Sequence, residues 1–203
     1  MERAPSLCKI DRFRGCLLGL AVGDALGTSI EFSPPGSFTP LTDLVGGGPF
    51  NLRPGEWTDD TSMALCLAES LIECRGMDLI DQLTRYVRWY REGYLSSTGI
   101  CFDIGNTIRK ALTNFEHTGD PHSGSTDPES AGNGSIMRLA PVPMYFANDK
   151  RAAIENSAVS SLTTHRIRTA VDACRYFGGL IAGALTGFEK DELISSTYFE
   201  GIG

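Results

Sequence analysis

The sequence predicts an all-α fold in a single domain. Three observations carry this. Apolar residues recur at helical spacing through most of the chain. No stretch alternates apolar and polar residues as a half-buried strand would. The breaks between helical stretches are marked by Gly, Pro, Ser and Asp. A chain of 203 residues suits one good-sized core. Neither an internal repeat nor a linker divides it, so one domain spans 1–203.

The elements follow in order. Residues 13–27 form a first helix in which Gly15, Gly19, Gly23 and Gly27 share a face. Four glycines in a helix interior disfavour it by roughly 1 kcal/mol each relative to Ala, so close approach of another helix is expected. Gly179, Gly183 and Gly187 repeat the spacing and offer a partner. Residues 33–54, rich in Pro and Gly, read as a loop. Helices are expected over 58–74, 78–91 and 102–115, then a polar loop over 117–132. A short helix over 135–139 is stopped by Pro141 and Pro143. Helices over 150–162 and 167–185, and another starting over 191–196, complete the chain.

Composition excludes several classes. Hydrophobic residues make up 41% and charged residues 21%, as in a folded globular protein. The net charge of -7, without a basic stretch, argues against a nucleic-acid partner. Six cysteines without a CxxC pair and only three histidines argue against a zinc site. They point to a reduced, cytoplasmic setting. The apolar stretch "GCLLGLAVGDALGTSI" is interrupted by Asp24 and falls short of the ~20 residues of a membrane span.

Chemistry concentrates in a few places. In "GEWTDDTSM", Thr58 stands as an N-cap, with Asp59 and Asp60 at the positive end of the helix dipole. Capping accounts for one oxygen, whereas Thr58, Asp59, Asp60 and Thr61 crowd hard oxygen donors onto one turn. That set suits Mg²⁺ or Ca²⁺ and not zinc or copper. Asp24 is a charge among apolar neighbours, to be held by backbone N–H groups or a buried Arg. Glu31 reads either as a solvated residue or as a ligand or general base facing the Asp pair. In "AGNGSIMRLAP", Gly132, Asn133 and Gly134 form either a plain turn or a cradle of N–H groups for an anion. Arg138 follows, a candidate partner for a buried carboxylate. His165 taken alone reads as a cap or surface residue.

The motifs "GCLLGLAVGDALGTSIEF", "GEWTDDTSM", "FDIGNT", "AGNGSIMRLAPVP" and "TTHRIRTAVDACRYFGGLIAGAL", in this order, resemble the ADP-ribosylglycohydrolase family, nearest its dinitrogenase-reductase-activating type. The resemblance implies a compact, orthogonal all-α domain with two Mg²⁺ (or Mn²⁺) ions in a cleft. It implies hydrolysis of the bond between ADP-ribose and a modified protein side chain, often arginine, or a related conjugate. By position it makes Thr58, Asp59 and Asp60 metal ligands, with Glu31 and Asp60 as acid/base groups. Gly132, Asn133, Gly134 and Ser135 would take the diphosphate and ribose, and His165 would lie near the ADP-ribose. The family also carries a C-terminal Asp-x-Asp-Thr cluster that is not found here, so the expectation is a domain lacking its C-terminal part. The alternative is a non-catalytic homologue that binds ADP-ribose or serves a structural role.

Overall fold

The computed structural model describes residues 8–195 and 197–199. Its helices are α1 (Lys9–Gly27), α2 (Asp59–Glu73), α3 (Leu79–Glu92), α4 (Asn106–Thr118), α5 (Pro141–Tyr145), α6 (Lys150–Ser161), α7 (Arg168–Thr186) and the one-turn α8 (Lys190–Leu193). Short 3₁₀ turns lie at Thr28–Ile30 and Pro128–Ser130. Among the described residues there is no strand, only isolated bridges between Gly47 and Leu52 and between Ser125 and His165.

Helix α2 lies at the centre. Met63, Cys66, Leu67 and Leu71 are all buried and meet Leu83, Tyr86 and Trp89 of α3, Ile108 and Leu112 of α4, and Cys174 of α7. The i, i+3, i+4 spacing of these side chains is what turns one face of each helix to the shared core. Helix α3 starts where the Asp78 carboxylate accepts from the N–H groups of Ile80 and Asp81, both at 2.9 Å. It ends at Gly93 in the left-handed conformation. Arg85 ties α3 to α2, reaching Glu69 at 2.6 Å and Asp81 at 2.7 Å.

The two glycine faces behave differently. On α7 the small residues are packed upon: Gly178 faces Ser157 of α6, while Gly179 and Gly183 face the rings of Phe199 and Tyr198. On α1 no atom lies within 4 Å of where a Cβ would stand at Gly15, Gly19, Gly23 or Gly27. The expected packing of one glycine face on the other is therefore not formed. Helix α1 still meets α7: Arg12 Nη1 donates to the carbonyl of Ala184 at 3.1 Å, and Gly19 and Gly23 share an open cleft with Phe177 and Ile181 of α7. Lys9–Ile30 is, among the described residues, the stretch long and apolar enough to cross a membrane, and only 11% of its apolar window is buried.

Two further expectations are corrected. Where a helix over 135–139 is expected, residues 134–138 form consecutive turns, and the helix begins at Pro141 instead of ending before it. Pro is favoured in a first helical turn because its missing N–H has no partner to lose. The expected helix over 102–115 starts only at Asn106, because Asp103 sits at φ 58° and breaks the helical path.

Candidate active site

The start of α2 is capped from another helix. Asp24, on α1, accepts from the Thr58 N–H at 3.0 Å and the Thr58 hydroxyl at 2.8 Å. It also accepts from the Thr61 N–H at 3.1 Å and the Thr61 hydroxyl at 2.6 Å. The buried-charge expectation for Asp24 is met by backbone N–H groups and hydroxyls rather than by an Arg. Thr58 occupies the N-cap position, but its side chain caps nothing. Asp24 does that work, and so Asp59 and Asp60 are not spent on the helix end. The Thr58 hydroxyl spends its proton on Asp24 and keeps lone pairs free.

Five carboxylates meet here. Asp59 and Asp60 project from α2, Glu31 from just past the 3₁₀ turn, and Asp103 from the strained segment before α4, all lining one cleft of about 420 Å³. Asp24 adjoins Glu31, Asp60 and Asp103 on its α1 side. No Lys or Arg forms an ion pair with any of the five among the described residues. Burial, followed by repulsion from Asp60, Asp103 and Asp24, lifts Asp59 to about 9. Burial and then Asp24 lift Asp60 to about 6. Burial and then Glu31 lift Asp103 to about 7, and Glu31 is itself raised, chiefly by burial. A site that stabilises protons on carboxylates is one that lacks positive charge.

Glu31 is placed by a close backbone approach. A Cβ at Gly48 would stand 2.4 Å from the Thr28 carbonyl, and Gly48 has φ 65°, so only glycine lets that loop lie on the turn carrying Glu31. Phe32 follows at φ 61° with its ring 79% exposed at the lip of the cleft.

The opposite wall is made of Gly132, Asn133, Gly134 and His165. Among the described residues, the N–H groups of Asn133, Gly134 and Ser135 meet no protein acceptor. Three such groups in succession make a concavity for an anion without a helix behind them. His165 is 1% exposed, held by its N–H to the Ser161 carbonyl at 2.7 Å and by the Ser125 bridge beside it. It is therefore neither a cap nor a surface residue. Burial, then the nearby Arg138, holds its imidazole down to about 4, so it is neutral near pH 7. Ser135 turns away from the cleft: it is 1% exposed, with its hydroxyl 2.8 Å from Ser161 Oγ. Its side chain therefore belongs to the core, and what it offers an anion is its backbone N–H.

The family model described as ADP-ribosylglycohydrolase matches residues 5–200, which include both walls of this cleft. The chain belongs to the ADP-ribosylglycohydrolase family. It is 42% identical over 191 residues to the ADP-ribosylarginine hydrolase Tri1 of Serratia proteamaculans (strain 568), covering 94% of this chain and 52% of that protein. It is 36% identical over 138 residues to the ADP-ribosyl-[dinitrogen reductase] glycohydrolase of Rhodospirillum rubrum, covering 66% of this chain and 42% of that protein. Among solved structures, a chain described as an ADP-ribosylglycohydrolase-related protein complex matches with a TM-score of 0.83 at 43% identity, over 96% of this chain and 63% of that one. The chain thus spans about half the length of the curated relatives it matches.

Within this ADP-ribosylglycohydrolase domain, sequence reasoning missed Asp103. The "FDIGNT" stretch holds it, but a helix drawn through residue 103 leaves no reason for it to face the cleft. It also left Arg138 without its real role. Arg138 is completely buried and, among the described residues, pairs with no carboxylate. It donates to the Gly134 carbonyl at 2.7 Å and to the hydroxyls of Thr163 at 3.0 Å and Thr164 at 2.8 Å, beside the Tyr86 ring at 4.7 Å.

Proposed function

We propose that this cleft binds a hard divalent cation, Mg²⁺ or Mn²⁺, together with an ADP-ribosylated side chain, and that it serves hydrolytic release of ADP-ribose from arginine. The observation that supports this best is the opposition of two walls across one cleft. One is rich in carboxylates without counter-charge, and the other presents unpartnered N–H groups.

The donor chemistry fits such an ion. Thr58 Oγ1, Asp59 and Asp60 are hard oxygens on one turn, and the uncompensated acids around them call for positive charge. No three acidic, His or Cys groups among the described residues close round one point. A shared cation would draw the set together by offsetting the repulsion between its carboxylates. Bound there, the ion would neutralise these carboxylates and polarise substrate oxygens. The family pattern of two ions implies more ligands than this turn supplies.

The chain's own residues divide the remaining work. The N–H groups of residues 133–135 and the His165 imidazole receive the diphosphate end. Phe32 at the lip, beside an acidic wall, suits a cationic acceptor such as a guanidinium. Glu31 and Asp103 share a proton, Asp103 holding it and Glu31 accepting, which suits proton transfer near neutral pH. In the reaction a water oxygen bonds to the anomeric carbon and the carbon–nitrogen bond to the guanidinium breaks. The arginine leaves as neutral guanidine, then takes the proton that the water gives up. A carboxylate passes that proton and steadies the positive ribose ring.

The test is incubation of the protein with Mg²⁺ and an arginine-ADP-ribosylated protein, with free ADP-ribose as the readout. Release that stops with chelator, and falls on the order of 10²-fold or more in Asp60→Asn, supports hydrolysis. Tight ADP-ribose binding with no release would transfer the assignment to the binding-only alternative. Neither binding nor release would overturn both.

A further inference from the structure

Beyond the catalytic walls lies a buried chain of hydrogen bonds whose direction can be worked out. Arg138 Nη2 donates to Thr163 Oγ1 and Thr164 Oγ1, because a guanidinium has no acceptor. Thr163 spends its own hydroxyl proton on the Ser160 carbonyl at 2.8 Å. Thr164 has one other side-chain neighbour, His165 Nδ1, at 2.9 Å. Thr164 is completely buried. If Nδ1 carried the proton, the Thr164 hydroxyl would hold a buried proton with no acceptor, a loss of order 1–3 kcal/mol. The balanced arrangement has Thr164 donating to a bare Nδ1. The imidazole proton then sits on Nε2. That nitrogen faces the cleft beside Gly132, 3.6 Å from where a Cβ would stand, and meets no protein acceptor among the described residues. Gly134 lets the ring lie this close, since a Cβ there would be 2.8 Å from His165 Cε1.

We infer that Thr164 is a positioning residue that relays the buried Arg138 guanidinium to His165, fixing the imidazole as the Nε2–H tautomer so that this N–H donates to a ligand oxygen lying against residues 132–134. The tautomer stands on the protein's own hydrogen bonds. The identity of the oxygen, on a diphosphate or ribose, rests on the reading of the cleft as an ADP-ribose site. Arg138 also holds the Gly134 carbonyl, so one guanidinium sets both the cradle and the imidazole beside it. This arrangement explains a buried charge without a carboxylate: its partners are the dipoles that shape an anion site.

Long-range ¹H–¹⁵N spectra of the ligand-free protein test the tautomer directly, with only His117 and His122 besides His165 to assign. The expected result is a protonated Nε2 and an unprotonated Nδ1 at His165. Thr164→Val removes the donor to Nδ1. Its spectrum should show a shifted tautomer balance and its ADP-ribose affinity should fall about tenfold, while Thr164→Ser restores both. A protonated Nδ1 in the wild type overturns the relay, as does a Thr164→Val protein with unchanged spectrum and affinity. If Thr164→Val does not fold, the wild-type spectrum alone decides. An Nε2–H tautomer in a protein that does not bind ADP-ribose would support the relay and overturn the reading of the cleft.

Discussion

At position 59 a carboxylate is 6% exposed with like charges around it and, among the described residues, no Lys or Arg paired with it, which is where stability and function pull apart. Its folded pKa, about 9, lies above its unfolded value, so the folded protein holds more protons through that interval. Stability from this group is lost as pH rises from about 4 towards 9. Asp59→Asn should therefore raise the melting temperature in chelator at pH 8 by several degrees and, on the proposed function, abolish Mg²⁺-dependent release. Thermal scans with chelator at pH 6 and pH 8 check it, and an Asn variant no more stable than wild type at pH 8 contradicts it. His165 has the opposite sign. Its folded pKa is held near 4 against 6.5 when free, so the unfolded chain takes up a proton first on acidification. Its contribution is complete above pH 6.5 and declines by up to about 3 kcal/mol as pH falls towards 4. The difference between wild type and His165→Gln in denaturant midpoint, measured from pH 7 to pH 4.5, should shrink accordingly; a pH-independent difference would count against a neutral, desolvated ring facing Arg138. Of these residues the sequence exposed Asp59, because crowded acids on one turn are visible without a fold. It hid the burial of His165, which depends on a loop 40 residues away in the chain closing over it through Ser125.

At the scale of elements, the two glycine faces give opposite predictions for the same substitution. Gly19→Ala meets open space on an α-helix and should stabilise by roughly 0.5–1 kcal/mol, from helix propensity alone. Gly183→Ala would push a methyl into Leu193 and Tyr198 and should destabilise by about 1–3 kcal/mol. Chemical denaturation of the pair measures both, and a destabilised Gly19→Ala would mean that α1 is covered by something on its glycine side. Spacing alone could not separate the two faces, since both read as sites of close approach. Asp103 shows a related limit. Helical periodicity ran plausibly back to Phe102, but a left-handed residue at 103 starts α4 three residues later and turns a carboxylate into the cleft. Asp103→Asn should keep ADP-ribose affinity within a few-fold and lower turnover at least 10²-fold, the range of a lost acid/base group; equal losses in binding and turnover would assign it to substrate binding instead.

Across the whole molecule, the all-α architecture was legible because α2, α3, α4, α6 and α7 each bury one face, and Pro, Gly and Asp punctuate the ends. The convergence of Glu31, Asp59, Asp60 and Asp103 was legible only in part, since it depends on how α1, α2 and α4 cross. The Asp24 bridge sets that crossing. It joins residues 34 and 37 positions apart, and its partners include two of the four amides that a helix start leaves without acceptors inside the helix. Those amides can therefore serve as a clock. When α1 lifts away, the protons on Thr58 and Thr61 nitrogen lose their acceptor and become free to exchange with deuterium from solvent. Their exchange rates report the undocking of α1 alone, separately from global unfolding. A cation held by Thr58 Oγ1 and the Asp pair would tighten the same turn, and by reciprocity would slow the clock. The lifetime of one helix contact thus becomes readable, residue by residue, in the isotope content of two backbone nitrogens.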